Sequence, residues 1–184
     1  MEAVLFVGIQ ASGKSTFYKE HFFNSHVRIS NDLLKTKNRE KLMFALCFDT
    51  GMPLVIDNTN VSKEVRARYI AMLREHGYRI KCYYFKSDLD RSVAWNSQRR
   101  GGECIPQVGI FSTHKRLEIP SQDEGFDEMF YVDWIDGQRV VKEWNSEVLM
   151  NSTNRCACMK PRTTSASCLA STWSRVSTAG VSRG

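Results

Sequence analysis

Residues 3–15 read AVLFVGIQASGKS. The first five, Ala3 to Val7, form an unbroken apolar run, the pattern of a strand buried on both faces. The next eight, Gly8 to Ser15, fit G-x-x-x-x-G-K-[ST] in full, with Gly8, Gly13, Lys14 and Ser15 at the fixed positions. Strand, glycine-rich loop and helix start, in that order, are what the motif's mechanics require. Glycines let the loop curl so that successive backbone N–H groups face one phosphate. The helix N-terminus beyond adds positive potential. On this reading Gly8, Ile9, Gln10, Ala11, Ser12, Gly13, Lys14, Ser15 and Thr16 hold the phosphates of ATP. Lys14 brings a mobile charge to the β- and γ-phosphates, and the Ser15 hydroxyl is placed to ligate Mg²⁺. The plainer reading of the same residues is a glycine-rich turn between a strand and a helix.

Outward from this stretch, strand and helix patterns alternate. A helix is expected over 14–23, a short strand at 27–30, a largely helical run at 33–50 and a buried strand at 53–57. Residues 62–76 carry the clearest helix signal, with Ser62 as N-cap, Glu64 in the first turn and Gly77 as the stop. A strand follows at 79–85, then helices at 88–98 and 106–118 and a strand at 128–134. Asp136-Gly137 signals a hairpin into residues 138–142. Such alternation implies an α/β fold of the P-loop NTPase type: three layers, a mostly parallel sheet, helices on both faces. Ligands bind such sheets beyond the carboxyl ends of the strands.

The chain has 184 residues, 42 % of them apolar, enough for one domain with a real core. No apolar run approaches the roughly 18 residues of a membrane span. Glu2 and the early Gln10 and Lys14 do not fit a secretory leader. The formal charge of +6 is unevenly placed, because residues 1–150 carry +1 and residues 151–184 carry five basic groups and no acid. Twelve of those last 34 residues are Ser or Thr, without apolar period. The expectation is a kinase-type domain over 1–150 and a disordered basic tail over 151–184. Of the six cysteines, Cys47, Cys82 and Cys104 read as buried free thiols, and no CxxC pair occurs. This usage suits a reducing, intracellular compartment.

Three clusters fall at or after strand ends. In Ser30-Asn31-Asp32, the carboxylate of Asp32 reads either as a base facing the γ-phosphate or as the N-cap of the next helix. In Asp57-Asn58-Thr59-Asn60, Asp57 reads as a Mg²⁺ ligand, or the whole segment as loop chemistry before Ser62. Arg91, Arg99 and Arg100, followed by Gly101-Gly102, read as a lid that closes over phosphates, or as a solvated helix end. Arg66, Arg68 and Arg74 read as the solvated face of an amphipathic helix. Trp95 and Trp134 read as packing residues. The four histidines show no metal-ligand spacing.

Taken together, GIQASGKSTF, ISND, VIDNTNVSKEVRARY, NSQRRGGECIP and RLEIPSQDEGF resemble the kinase domain of polynucleotide 5′-hydroxyl kinases. The resemblance runs from about residue 3 to residue 134. It implies transfer of the γ-phosphate of ATP to a DNA or RNA 5′-OH. By position it makes Asp32 the general base, Lys14 and Ser15 the phosphate and Mg²⁺ ligands, and Arg99 or Arg100 the lid arginine. Asn31 stands where many members have Arg, and no DxDGT-type phosphatase motif occurs in the chain. Two other readings of the scaffold remain: a kinase of a small-molecule or nucleoside hydroxyl, and a nucleotide-binding ATPase subunit of a larger assembly.

Overall fold

The computed structural model describes residues 1–99 and 104–145. Its elements are β1 (Glu2–Val7), α1 (Lys14–His21), β2 (Val27–Ile29), α2 (Asn31–Leu34), α3 (Lys37–Thr50), β3 (Leu54–Ile56), α4 (Lys63–Glu75), β4 (Arg79–Phe85), α5 (Leu89–Ser97), α6 (Gln107–Arg116), β5 (Glu128–Ile135) and β6 (Gln138–Glu143). A 3₁₀ turn at Gln122–Glu124 precedes β5. The strands form one sheet in the order β2-β3-β1-β4-β5-β6. Every neighbouring pair is parallel except β5 and β6.

β1 lies at the centre, and this explains its unbroken apolar run. Ala3 through Val7 are all fully buried. Ala3 and Leu5 pack with Phe44, Cys47, Ile70 and Leu73, so α3 and α4 cover one face. Val4 and Phe6 pack with Phe17, Tyr18 and Phe22, so α1 covers the other. β3 and β4 flank β1 on either side, and the crevice at the carboxyl ends of these parallel strands is the natural ligand position of such a sheet.

Local signals fix several boundaries. Ser62 caps α4, its hydroxyl accepting from the Val65 N–H at 3.3 Å, and Gly77 leaves the helix with φ 73°. Asp136 (φ 50°) and Gly137 (φ 76°) are both left-handed, as a type I′ hairpin turn demands. The largely helical run expected over 33–50 is built as two helices. Lys35 adopts φ 66° after α2, and Thr36 restarts the chain by accepting from the Arg39 N–H. The hydroxyl of Thr36 offers the backbone a new N-cap, a signal that apolar periodicity does not carry. Trp95 and Trp134 pack edge to face, centroids 5.4 Å apart. Cys47 and Cys82 are buried free thiols, but Cys104 is exposed, contrary to expectation. Among the described residues no helix is long and apolar enough to cross a membrane. The expected domain boundary and the tail over 151–184 lie outside the described residues.

Candidate active site

The chain leaves β1 at Gly8, whose N–H donates to Thr59 O at 3.1 Å. A Cβ there would lie 3.1 Å from both Cβ and O of Phe85 and 3.2 Å from Ser12 Oγ, so the close approach demands glycine. Ile9 is buried, and its N–H donates to Ser87 Oγ at 3.3 Å. Gln10 Nε2 donates to Thr113 Oγ1 of α6 at 2.9 Å. Ala11 (φ 56°) and Gly13 (φ 91°) are left-handed, which curls the loop. Gly13 stands at the N-cap of α1, an eight-residue helix, and Ser15 and Thr16 are exposed in its first turn.

Lys14 is 8 % exposed. Its Nζ donates to Gly8 O at 3.0 Å, Ile9 O at 2.6 Å and Ser12 Oγ at 3.3 Å. Burial pushes its pKa down to about 8. The charge of Asp57 opposes that shift, Arg99 adds to it, and Asp32 opposes it. Groups from three separate segments therefore act on one ammonium at the centre of the loop. This arrangement fits a polyphosphate, whose oxygens would replace the carbonyls on the buried ammonium.

Each residue of Asp57–Asn60 has its own task. Asp57 Oδ2 accepts from Ser15 Oγ at 2.8 Å, so two hard oxygen donors meet at the mouth of the loop. That pair suits Mg²⁺. Asn58 Oδ1 accepts from the Asn31 N–H at 2.9 Å. Thr59 O receives the Gly8 N–H. Asn60, left-handed at φ 47°, donates from Nδ2 to Phe6 O at 2.7 Å. Asn58, Thr59 and Asn60 thus perform the expected loop chemistry, and Asp57 stands beside the Ser15 hydroxyl.

Asp32 is exposed at the second position of α2. The N-cap position belongs to Ser30, so capping does not explain Asp32. Ser30 is 1 % exposed, yet its Oγ has no hydrogen-bond partner. The Asn31 backbone is held by Asn58, as described.

The arginines separate. Arg99 is exposed and acts on Lys14; Arg100, Gly101 and Gly102 lie outside the described residues. Arg91 does not belong with them. It donates to Trp134 O at 3.0 Å and Asp133 Oδ1 at 3.3 Å, and lies over the Trp95 ring. Arg66 is not on a solvated face either, being fully buried. Its Nε and Nη2 donate to the two carboxylate oxygens of Glu124 at 2.6 and 2.8 Å. Its Nη1 donates to Asn60 O, Val61 O and Glu118 O at 3.0, 3.3 and 2.9 Å. Glu118 also accepts the Lys63 N–H at 2.6 Å. Glu118 and Glu124, two of the three acids of RLEIPSQDEGF, therefore fasten the segment from Asn60 to Lys63 that follows Asp57. Arg74 is exposed while reaching Gly125 O and Asp127, and Arg68 is exposed and paired with Glu64, so both stay on the solvated face.

Arg28 carries no signal in the sequence beyond being the one charge in a short strand. Its Nε and Nη2 both donate to Asp57 Oδ2, at 2.8 and 2.6 Å, and Nη2 also donates to Ser15 Oγ at 2.9 Å. A charged residue between Val27 and Ile29 of a half-buried strand must find a partner inside.

A family model described as an AAA domain matches residues 35–109. The bifunctional polynucleotide phosphatase/kinase of Schizosaccharomyces pombe is 29 % identical over 129 residues, covering 68 % of this chain and 32 % of that protein. A second polynucleotide phosphatase/kinase relative, from Acanthamoeba polyphaga mimivirus, is 27 % identical over 143 residues, 72 % of this chain and 34 % of its own length. The chain spans about a third of the length of these curated relatives. Among solved structures, Chaetomium thermophilum Kti12 in complex with ADP-AlF3 superposes with a TM-score of 0.53 at 16 % identity, covering 73 % of this chain and 90 % of that one. The chain is a P-loop NTPase-type α/β domain, and its sequence is similar to polynucleotide phosphatase/kinases over about two thirds of its length.

Proposed function

We propose that this chain is an ATP-dependent, Mg²⁺-dependent kinase that transfers the γ-phosphate of ATP to the 5′-hydroxyl of DNA or RNA. The observation that carries this reading is the seating of the loop: the buried Lys14 ammonium rests on the Gly8 and Ile9 carbonyls beside the Ser15 hydroxyl–Asp57 carboxylate pair, with Asp57, Arg99 and Asp32 near enough for their charges to act on that ammonium. A base, a metal ligand and a lid arginine acting at one point are the parts of phosphoryl transfer to an alcohol. The nucleic-acid acceptor is supported by the two curated relatives, both polynucleotide phosphatase/kinases. Free cysteines at 47, 82 and 104 suit the intracellular setting that such a substrate implies.

In this mechanism the curled loop and the α1 N-terminus hold the triphosphate. Lys14 exchanges the Gly8 and Ile9 carbonyls for phosphate oxygens. Asp32, exposed at the start of α2, accepts the proton of the attacking 5′-OH. Arg99, with Arg100 as the other candidate, neutralises the charge that spreads over the transferring group. Ser15 and Asp57 would hold Mg²⁺, which supplies further charge neutralisation on the phosphate oxygens.

The test is transfer from labelled ATP to a 5′-OH oligonucleotide, set against a panel of sugars and nucleosides, with and without Mg²⁺. Label is expected on the oligonucleotide alone. Label only on a sugar or nucleoside would replace this reading with a small-molecule kinase. ADP and free phosphate in equal amounts, indifferent to oligonucleotide, would replace it with an ATPase subunit. Asp32→Asn should lower turnover by about 10²–10⁴ and leave nucleotide affinity unchanged.

A further inference from the structure

We infer that Arg28 is a resident counter-cation of the metal position. In the nucleotide-free protein it occupies the Asp57 carboxylate and keeps bare divalent cations out, so that metal enters only together with nucleotide. This rests on the metal-dependent nucleotide site proposed above and is independent of the acceptor.

The geometry is closed. Asp57 Oδ2 takes two guanidinium donors and the Ser15 hydroxyl, and Ser15 Oγ takes a further guanidinium N–H. Both oxygens suited to Mg²⁺ are therefore engaged by one side chain. The Asp57 side chain is 2 % exposed and that of Arg28 is 26 % exposed, so water screens the pair poorly. Arg28 is also braced from below. Its Cζ lies 5.6 Å from the centre of the Tyr18 ring, and Tyr18 OH is tied to His26 O at 2.8 Å. Lys14 is the other cation near Asp57, but its Nζ is turned to the Gly8 and Ile9 carbonyls.

A divalent cation arriving alone must expel a guanidinium that already neutralises the carboxylate, and it would sit against that positive charge in a weakly polar surround. A cation arriving on a polyphosphate brings several negative charges. Phosphate oxygens are strong acceptors for a released guanidinium, so the displaced side chain has somewhere to go. Metal and nucleotide binding are then thermodynamically coupled, and the coupling is reciprocal.

Mn²⁺ is the probe, its free concentration read by electron paramagnetic resonance during titration of the full chain. The wild type is expected to take up Mn²⁺ in the presence of ADP and to bind it at least about tenfold more weakly without nucleotide. Arg28→Met is expected to bind Mn²⁺ without nucleotide at least about tenfold more tightly than the wild type. Equal Mn²⁺ affinity of the wild type with and without ADP would overturn the inference, and needs no variant. So would an Arg28→Met protein of unchanged circular dichroism that gains no affinity. If the nucleotide-dependent Mn²⁺ pattern appears but no oligonucleotide is phosphorylated, the acceptor reading falls and this inference stands. If oligonucleotide is phosphorylated while bare Mn²⁺ binds freely, this inference alone falls.

Discussion

Arg66→Met removes a guanidinium that is fully buried and makes five hydrogen bonds. What it leaves behind sets the cost. The Glu124 side chain, 7 % exposed, becomes a buried charge without its counter-ion, and the carbonyls of Asn60, Val61 and Glu118 lose a donor. Stranding one partner of such a pair costs about 3–5 kcal/mol, a large share of the roughly 5–15 kcal/mol that holds a domain together. Arg68→Met, two positions along the same helix, is the internal control. The Arg68 and Glu64 side chains are 73 % and 76 % exposed, so that change should cost less than about 0.5 kcal/mol. Urea unfolding followed by circular dichroism measures both, with equal slopes required for the comparison. Adding Glu124→Leu to Arg66→Met should recover part of the loss, because the stranded carboxylate goes with it. The reasoning is refuted if the Arg66 and Arg68 variants unfold at the same urea concentration. Because Nη1 of Arg66 also grips the loop carrying Asp57, the Arg66 variant should bind Mg²⁺-ADP more weakly even where it is folded.

Other expectations concern the site itself. The Lys14 ammonium, held near 8 in the free protein, should be fully protonated against phosphate, so ADP binding should take up about 0.1 proton at pH 7, 0.5 at pH 8 and 0.9 at pH 9. Calorimetry in buffers of different ionisation enthalpy reads this, and uptake that is flat with pH, or unchanged in Lys14→Met, would contradict it. The same lowered pKa means that the unfolded chain binds more protons than the native one between pH 8 and 10.5. Stability of the free protein should therefore rise by about 3 kcal/mol across that window from this group, with its penalty fully present below pH 8. Arg99→Ala should slow a single turnover by about 10²–10³ while leaving the urea midpoint unchanged, since the side chain is exposed; normal single-turnover rates would remove it from the lid. Ser30→Ala deletes a buried hydroxyl without a partner, so stability should hold or rise by about 1 kcal/mol. A clearly lower melting temperature would contradict this.

What was legible in the sequence is what local rules report. The strand expected over 79–85 is observed as Arg79–Phe85, because Gly77 precedes it and Ile80 and Cys82–Phe85 supply its apolar content. The loop from Gly8 to Ser15 was readable because its glycines, lysine and serine all fall within eight consecutive residues at fixed spacing. Failures begin where a residue's fate is set far away. Arg66, Arg68 and Arg74 are the same residue type on one helix, and only Glu124, 58 positions downstream of Arg66, decides which is buried. Arg28 meets Asp57 across 29 positions, a pairing that no spacing in the sequence announces. The break at Lys35 was hidden because the apolar residues on both sides of it keep a helical rhythm.

The two margins of the sheet have a consequence for how this domain behaves among other chains. At one margin β2 has three residues, too short to template much of a neighbouring strand. At the other, β6 shows solvent the sequence QRVVKE, with Gln138, Val141, Lys142 and Glu143 exposed. Short length at one side and lysine and glutamate at the other are established ways of discouraging intermolecular strand addition. Concentrated preparations of the folded domain should therefore resist edge-to-edge aggregation without help from a covering subunit.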